Sequence, residues 1–210
     1  MRRTLMTVPS SLIALNGNML VAVDVETTGL TPGYHEVVQV AIVPLDSDIQ
    51  PCKDHRAFYI NIRPEHPERA DRKATDVHGL DMDWLLTNGL DRWRAADMLE
   101  DWVTDLDLPF SKRMAPLAHN FPFEKAFLSN WLGQETYDAL FYIHPRDTQV
   151  VGALCNDLAS YWGKDIPFGT LSLSSMCKKL GIINEKEHDA LADSLAGANL
   201  YRELIKLLGG

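Results

Sequence analysis

The sequence predicts one α/β domain organised on a mixed β-sheet of about five strands, an antiparallel meander first, with α-helices flanking it. Three observations carry that prediction. Three strand-like runs open the chain at turn-length intervals, and helix-period and strand-like runs then alternate. With 210 residues of 46% hydrophobic content, the chain can also bury one substantial core.

The first run, Met19 to Gly29 (MLVAVDVETTG), alternates Val21, Val23 and Val25 with Ala22, Asp24 and Glu26. A period of two marks a half-buried strand, so Asp24 and Glu26 leave one face a single pleat apart. Like charges that close are unfavourable unless a cation sits between them. Taken alone, a D-x-E pair is more often a solvated strand end. A divalent-metal site needs further acids elsewhere in the chain.

Pro32 and Gly33 make a turn. Glu36 to Leu45 (EVVQVAIVPL) reads as a second strand, with Val38, Val40 and Ile42 on one face and Val37, Gln39, Ala41 and Val43 on the other. Phe58 to Ile62 is the third. Arg63 to Asp76, rich in proline and charge, reads as loop and leads to His78-Gly79. In Leu90 to Leu106, Trp93, Ala96, Leu99, Trp102, Val103 and Leu106 recur at helical spacing. Met114 to Ala118 is a candidate buried strand. Asn120 and Pro122 signal a helix start, continued from Phe123 to Leu132 and stopped by Gly133. Leu140 to Ile143 reads as the last strand. Thr148 to Trp162, Thr170 to Leu180 (capped by Thr170) and Ala190 to Leu208 read as helices. Residues 1–18, an interrupted apolar run without a cleavage site, read as a surface extension ahead of a domain over 19–210.

Composition narrows the function. A net charge of −9 and a pI near 5.2 argue against electrostatic coating of nucleic acid. They do not exclude an enzyme that grips a chain end through cations. Cys52, Cys155 and Cys177 are odd in number and far apart, which fits a reducing cytoplasm and argues against a disulfide framework or structural zinc. No run of apolar residues is long enough for a membrane span.

Further acids are present. On the last helix Asp193 falls inside a stripe of Ala190, Ala196, Gly197, Leu200, Leu204 and Leu207. On the helix after Pro122, Glu124 shares its face with Phe127, Leu128 and Trp131. A carboxylate on a core-facing stripe needs a partner or a metal, although at a helix N-terminus it can also be solvated and favoured by the dipole. Two such acids added to the strand pair favour a shared site. His188, five residues ahead of Asp193, can reach the same cluster, and histidine is the side chain suited to taking a proton near neutral pH.

In order, Asp24-Val25-Glu26-Thr27-Thr28-Gly29, His119-Asn120-Phe121-Pro122-Phe123-Glu124 and His188-Asp189-Ala190-Leu191-Ala192-Asp193 resemble the motifs of the DnaQ-like 3′–5′ exonucleases of the DEDDh type. His78-Gly79-Leu80 is similar to that family's H-G-I segment, and the resemblance runs from about Leu20 to Leu208. It implies an RNase H-like sheet carrying two divalent ions, Mg²⁺ or Mn²⁺, held by Asp24, Glu26, Glu124 and Asp193, with His188 as general base. It also implies a terminal nucleotide lined by Thr27, Thr28, Gly29, Leu30, His78, Asn120 and Phe123. The implied substrate is the 3′ end of single-stranded DNA or RNA, released stepwise as nucleoside 5′-monophosphates. The family has aspartate where this chain has Glu124. A methylene more moves the carboxylate by more than about 1 Å, a scale to which catalytic geometry is sensitive. The alternative is a DnaQ-like module that binds nucleic acid or a polymerase without cutting. A free-standing enzyme is expected over a polymerase subunit, and Trp84, Trp93, Trp102, Trp131 and Trp162 supply either core or a homodimer interface.

Overall fold

The computed structural model of the chain describes residues 15–209; of the expected extension over 1–18, residues 1–14 lie outside that range. Five strands form one mixed sheet: β1 (Met19–Thr27), β2 (Val37–Pro44), β3 (Phe58–Asn61), β4 (Met114–Ala118) and β5 (Arg146–Asp147). Their order across the sheet is β3-β2-β1-β4-β5. The meander β1-β2-β3 is antiparallel, whereas β4 runs parallel to β1 and β5 parallel to β4. The fold is the RNase H-like α/β architecture implied by the motifs.

Eight α-helices flank the sheet among the described residues: α1 (Arg72–His78), α2 (Met82–Asn88), α3 (Arg92–Asp105), α4 (Phe121–Leu132), α5 (Gln134–Leu140), α6 (Thr148–Tyr161), α7 (Leu173–Lys179) and α8 (Ala190–Gly209). The alternation in β1 sorts the two faces. Val21, Val23 and Val25 pack with Val40, Ile42, Leu99, Phe127, Leu128 and Trp131, a core shared with α3 and α4. Leu20 and Ala22 pack on the other face with Leu117, Ala198 and Tyr201, under α8. Asp24 and Glu26 continue the Leu20–Ala22 row, and so they lie on the α8 face.

Several expectations are corrected. Val37, expected opposite Val40 and Ile42, joins their cluster. The cause is a bulge: Glu26 pairs with Gln39 but Thr27 pairs with Val37, which breaks the alternation at Val38. The segment read as loop over Arg63–Asp76 contains a 3-10 turn at Pro67–Arg69 and most of α1. This short helix shows little apolar period because it buries only His78; it is set by the Asp71 cap and ended by left-handed Gly79. Leu140–Ile143 is not a strand. Leu140 ends α5, Phe141 makes a single bridge to Met114, and the last strand is Arg146–Asp147. The cap of α7 is Ser172, not Thr170. On α3 the buried residues are Ala95 and Leu99, while Trp93 faces solvent with the Arg92 guanidinium 4.9 Å from its ring. Leu207, placed on the α8 core stripe, is half exposed. Of the tryptophans, Trp131 is core, Trp102 packs partly against it, and Trp84, Trp93 and Trp162 are exposed. The three cysteines are free, and no described helix is long and apolar enough to cross a membrane.

Candidate active site

The parallel pair β1–β4 ends beside the antiparallel pair β1–β2, and open sheets bind ligands where strand order reverses, outside the carboxyl ends. The predicted acids collect there. One carboxylate oxygen from each of Asp24, Glu26 and Asp193 lies within 4.8 Å of the others. Asp24 and Glu26 arrive from the end of β1, and Asp193 arrives from the first turn of α8 across the same face. Glu124 stands beside this triad rather than within it. It is 4% exposed in the first turn of α4, and its Oε2 has no hydrogen-bond partner among the described residues.

Local chemistry aims these groups. Asp147, at the end of β5, caps α6 through the Gln149 N–H and also accepts from the N–H groups of Asn120 and Phe121. One carboxylate thereby fixes the start of α4, where left-handed Asn120 turns the chain and Glu124 follows. His119 faces the Thr148 hydroxyl at 2.8 Å and the Leu171 carbonyl at 2.8 Å. On α8, the Asp193 carboxylate accepts from the side-chain amide of Asn184 and, at 3.1 Å, from the N–H of His188. His188 is exposed and left-handed, with φ of 65°.

Electrostatics mark the cluster as incomplete. Burial raises the Asp24 carboxyl well above the usual range, and the charges of Glu124, Glu26 and Asp193 raise it further. Glu26 is pushed up to about 8 by burial and by Asp193 and Asp189. Burial also raises Glu124, against the easing effect of its own backbone N–H, and raises Asp193 despite the donors from Asn184 and His188. Four carboxyls that resist ionising side by side, none of them in a salt bridge to lysine or arginine among the described residues, form a donor set for hard divalent cations. All the donor atoms of this set are oxygens, the kind that hard divalent cations take.

The other predicted residues surround this cluster in different ways. Thr27 donates its hydroxyl to the Gly29 carbonyl, and fully buried Thr28 accepts from the Glu36 N–H, so both side chains hold the β1–β2 loop. Gly29 must lack a side chain, since a Cβ there would lie 2.3 Å from the His35 ring. Leu30 projects from the loop, 75% exposed. Asn120 is exposed and Phe123 half-buried, its ring 4.7 Å from that of Phe127. His78 is buried with Nε2 unpartnered among the described residues, and burial together with nearby His188 lowers its pKa.

Four structural residues escaped the sequence reading: Asn184, which holds Asp193, and Gln39, Tyr59 and Asp189, which tie α8 to the sheet. A glutamine in the otherwise apolar run of β2 was the available signal for that tie.

The chain is similar to known nucleases. An exonuclease family model (RNase_T) matches residues 21–105, a stretch that includes Asp24, Glu26 and His78 and stops before Glu124, His188 and Asp193. Ribonuclease T of Buchnera aphidicola subsp. Baizongia pistaciae is 24% identical over 197 residues, covering 90% of this chain and 86% of that protein. Among solved structures, E. coli exonuclease I in complex with a dT13 oligonucleotide superposes with a TM-score of 0.71 at 17% identity, covering 91% of this chain and 42% of that one. A 3′-exonuclease with 3′-end-specific recognition of histone mRNA stem-loop gives 0.65 at 15% identity, covering 92% and 64%. This chain therefore spans less than two thirds of both structural neighbours.

Proposed function

We propose that this chain, a nuclease of the DnaQ-like exonuclease group within the RNase H-like superfamily, trims single-stranded DNA or short RNA stepwise from the 3′ end to nucleoside 5′-monophosphates. The observation that carries this reading is the convergence of Asp24, Glu26 and Asp193 within 4.8 Å, with the buried, unpartnered oxygen of Glu124 beside them. These acids fit a pair of Mg²⁺ or Mn²⁺ ions. Such ions, when bound, polarise the attacking water and neutralise charge on the phosphate and the leaving oxygen.

The chain's own residues do the rest. Asp24, Glu26 and Asp193 hold one side of the site, and Glu124 serves the other. His188, next to Asp193 and open to solvent, takes the proton from the attacking water. The water oxygen bonds to phosphorus as the bond from phosphorus to the 3′-oxygen breaks. Leu30 and Phe123 offer apolar surfaces for the terminal bases, a sequence-tolerant contact. Net charge of −9 favours short or single-stranded substrates over long duplexes, which would need phosphate neutralisation along their length.

End-labelled DNA and RNA oligonucleotides of matched sequence, incubated with Mn²⁺ or Mg²⁺, test this reading. A ladder shortening from the 3′ end, absent with Asp24→Ala, is the expected result. If wild type and Asp24→Ala both leave the oligonucleotides intact while still binding them, the chain is a binding module instead.

A further inference from the structure

We infer that Gln39, Tyr59 and Asp189 form a positioning device for the proposed reaction, a polar knot that fixes the backbone of His188 and hence the place of its imidazole. This rests on the exonuclease reading above.

His188 stands in a left-handed conformation, uncommon for a residue other than glycine although histidine adopts it more readily than most. Its own N–H donates to Asp193. The two residues that follow are tied to strands more than 120 positions away. Asp189, 6% exposed, accepts from the Tyr59 hydroxyl at 2.7 Å and from the Lys186 ammonium through Oδ2, and from the Ala192 N–H at 3.2 Å through Oδ1. Gln39, 2% exposed, accepts from the Ala190 N–H at 2.9 Å. Its amide donates to the Tyr59 oxygen at 3.1 Å and to Asn61 at 2.9 Å. The knot thus joins β2 and β3 to the turn that presents His188.

Capping alone does not account for this arrangement. The bond from Ala192 to Asp189 already satisfies the helix start, as an aspartate N-cap does elsewhere in this chain. The bonds from Tyr59 and to Gln39 reach none of the carboxylate oxygens of Asp24, Glu26 or Asp193. What they restrain is the backbone on the carboxyl side of His188. A catalytic base needs that restraint, because displacement on the order of 1 Å costs up to ~10²-fold in rate.

Tyr59→Phe removes one hydroxyl and tests the inference. We expect kcat to fall about tenfold, with KM for a short oligonucleotide and calorimetric Mn²⁺ affinity each within about twofold of wild type. In a His188→Ala background the same change costs no more than about twofold, since Tyr59 acts through His188. Unchanged kcat, an equal loss in both backgrounds, or Mn²⁺ affinity falling with kcat would each overturn the inference. If His188→Ala leaves turnover too slow to measure, the split between kcat and Mn²⁺ affinity decides. Circular dichroism checks the fold. Asp189→Asn, which keeps an oxygen for Ala192 but gives up the charge, carries the same measurements if Tyr59→Phe misfolds. A wild-type protein that cuts nothing defeats the exonuclease reading itself, a result distinct from all of these.

Discussion

Asp189 and Glu124 are both buried acids near one strand end, 6% and 4% exposed, and the protein treats them in opposite ways. Burial works against the Asp189 charge, but Lys186, Tyr59 and the Ala192 N–H outweigh it and hold the carboxyl below its usual range. Glu124 keeps one oxygen without a partner, and its carboxyl is raised. A charge that is buried and fully hydrogen-bonded belongs to the scaffold. A charge that is buried and left open beside other acids belongs to something the protein binds.

The sharpest way to break that contrast is activity. Asp24→Asn should lower exonuclease turnover on the order of 10³-fold, as loss of a group that organises transition-state charge does, while Asp24→Asn protein without metal should unfold at a higher temperature than wild type at pH 8. A loss of stability instead would show the cluster to be a structural network.

The next test is pH. The raised carboxyls of Asp24, Glu26, Glu124 and Asp193 bind protons more tightly in the folded chain than in the unfolded one, so they favour folding at low pH. That contribution is complete below about pH 4 and fades as the pH rises through the Glu26 value of about 8. Melting temperature without metal should therefore drop by roughly 5 °C between pH 5 and pH 9, and saturating Mg²⁺ or Mn²⁺ should restore it. Calorimetry with and without chelator reads this directly.

Asp189→Asn probes the satisfied side. It gives up a charge-assisted bond to a buried carboxylate and should destabilise the chain by about 1–3 kcal/mol in chemical denaturation, the opposite sign to Asp24→Asn. The smallest effect is expected at Glu124. Glu124→Asp shortens the reach toward Asp24 and should raise Mg²⁺-supported turnover about two- to fivefold, narrowing any preference for Mn²⁺. A sharp fall in Mg²⁺ turnover would mean that the site is built for the longer acid.

The antiparallel meander was legible from local runs, β1 above all, whereas β5 is two residues long and carries no period to read. Val21, Val23 and Val25 against Ala22, Asp24 and Glu26 sufficed to place both acids on one face, and the structure puts that face under α8. Glu124 and Asp193 were legible for the same reason on helices, as acids interrupting apolar stripes. Where local signal was weak, reading failed. Helix α1 buries a single residue, and the apolar run at Leu140–Ile143 is spent on ending α5 and reaching Met114. Trp93 looked like core by type and spacing, yet the stripe that α3 buries is centred on Ala95 and Leu99.

By itself, then, the sequence determined the first four strands, the long helices and which carboxylates stand on their inner faces. Those properties repeat every two or 3.6 residues and need no distant partner to be read. Only the tertiary structure decided that Gln39 and Tyr59 meet Asp189 and Ala190, that Asn184 holds Asp193, and that Asp147 sets the helix carrying Glu124. Each is a hydrogen bond whose partner is chosen by how helices and strands pack. A side chain's capacity to donate or accept says nothing about which distant group will be within 3 Å of it.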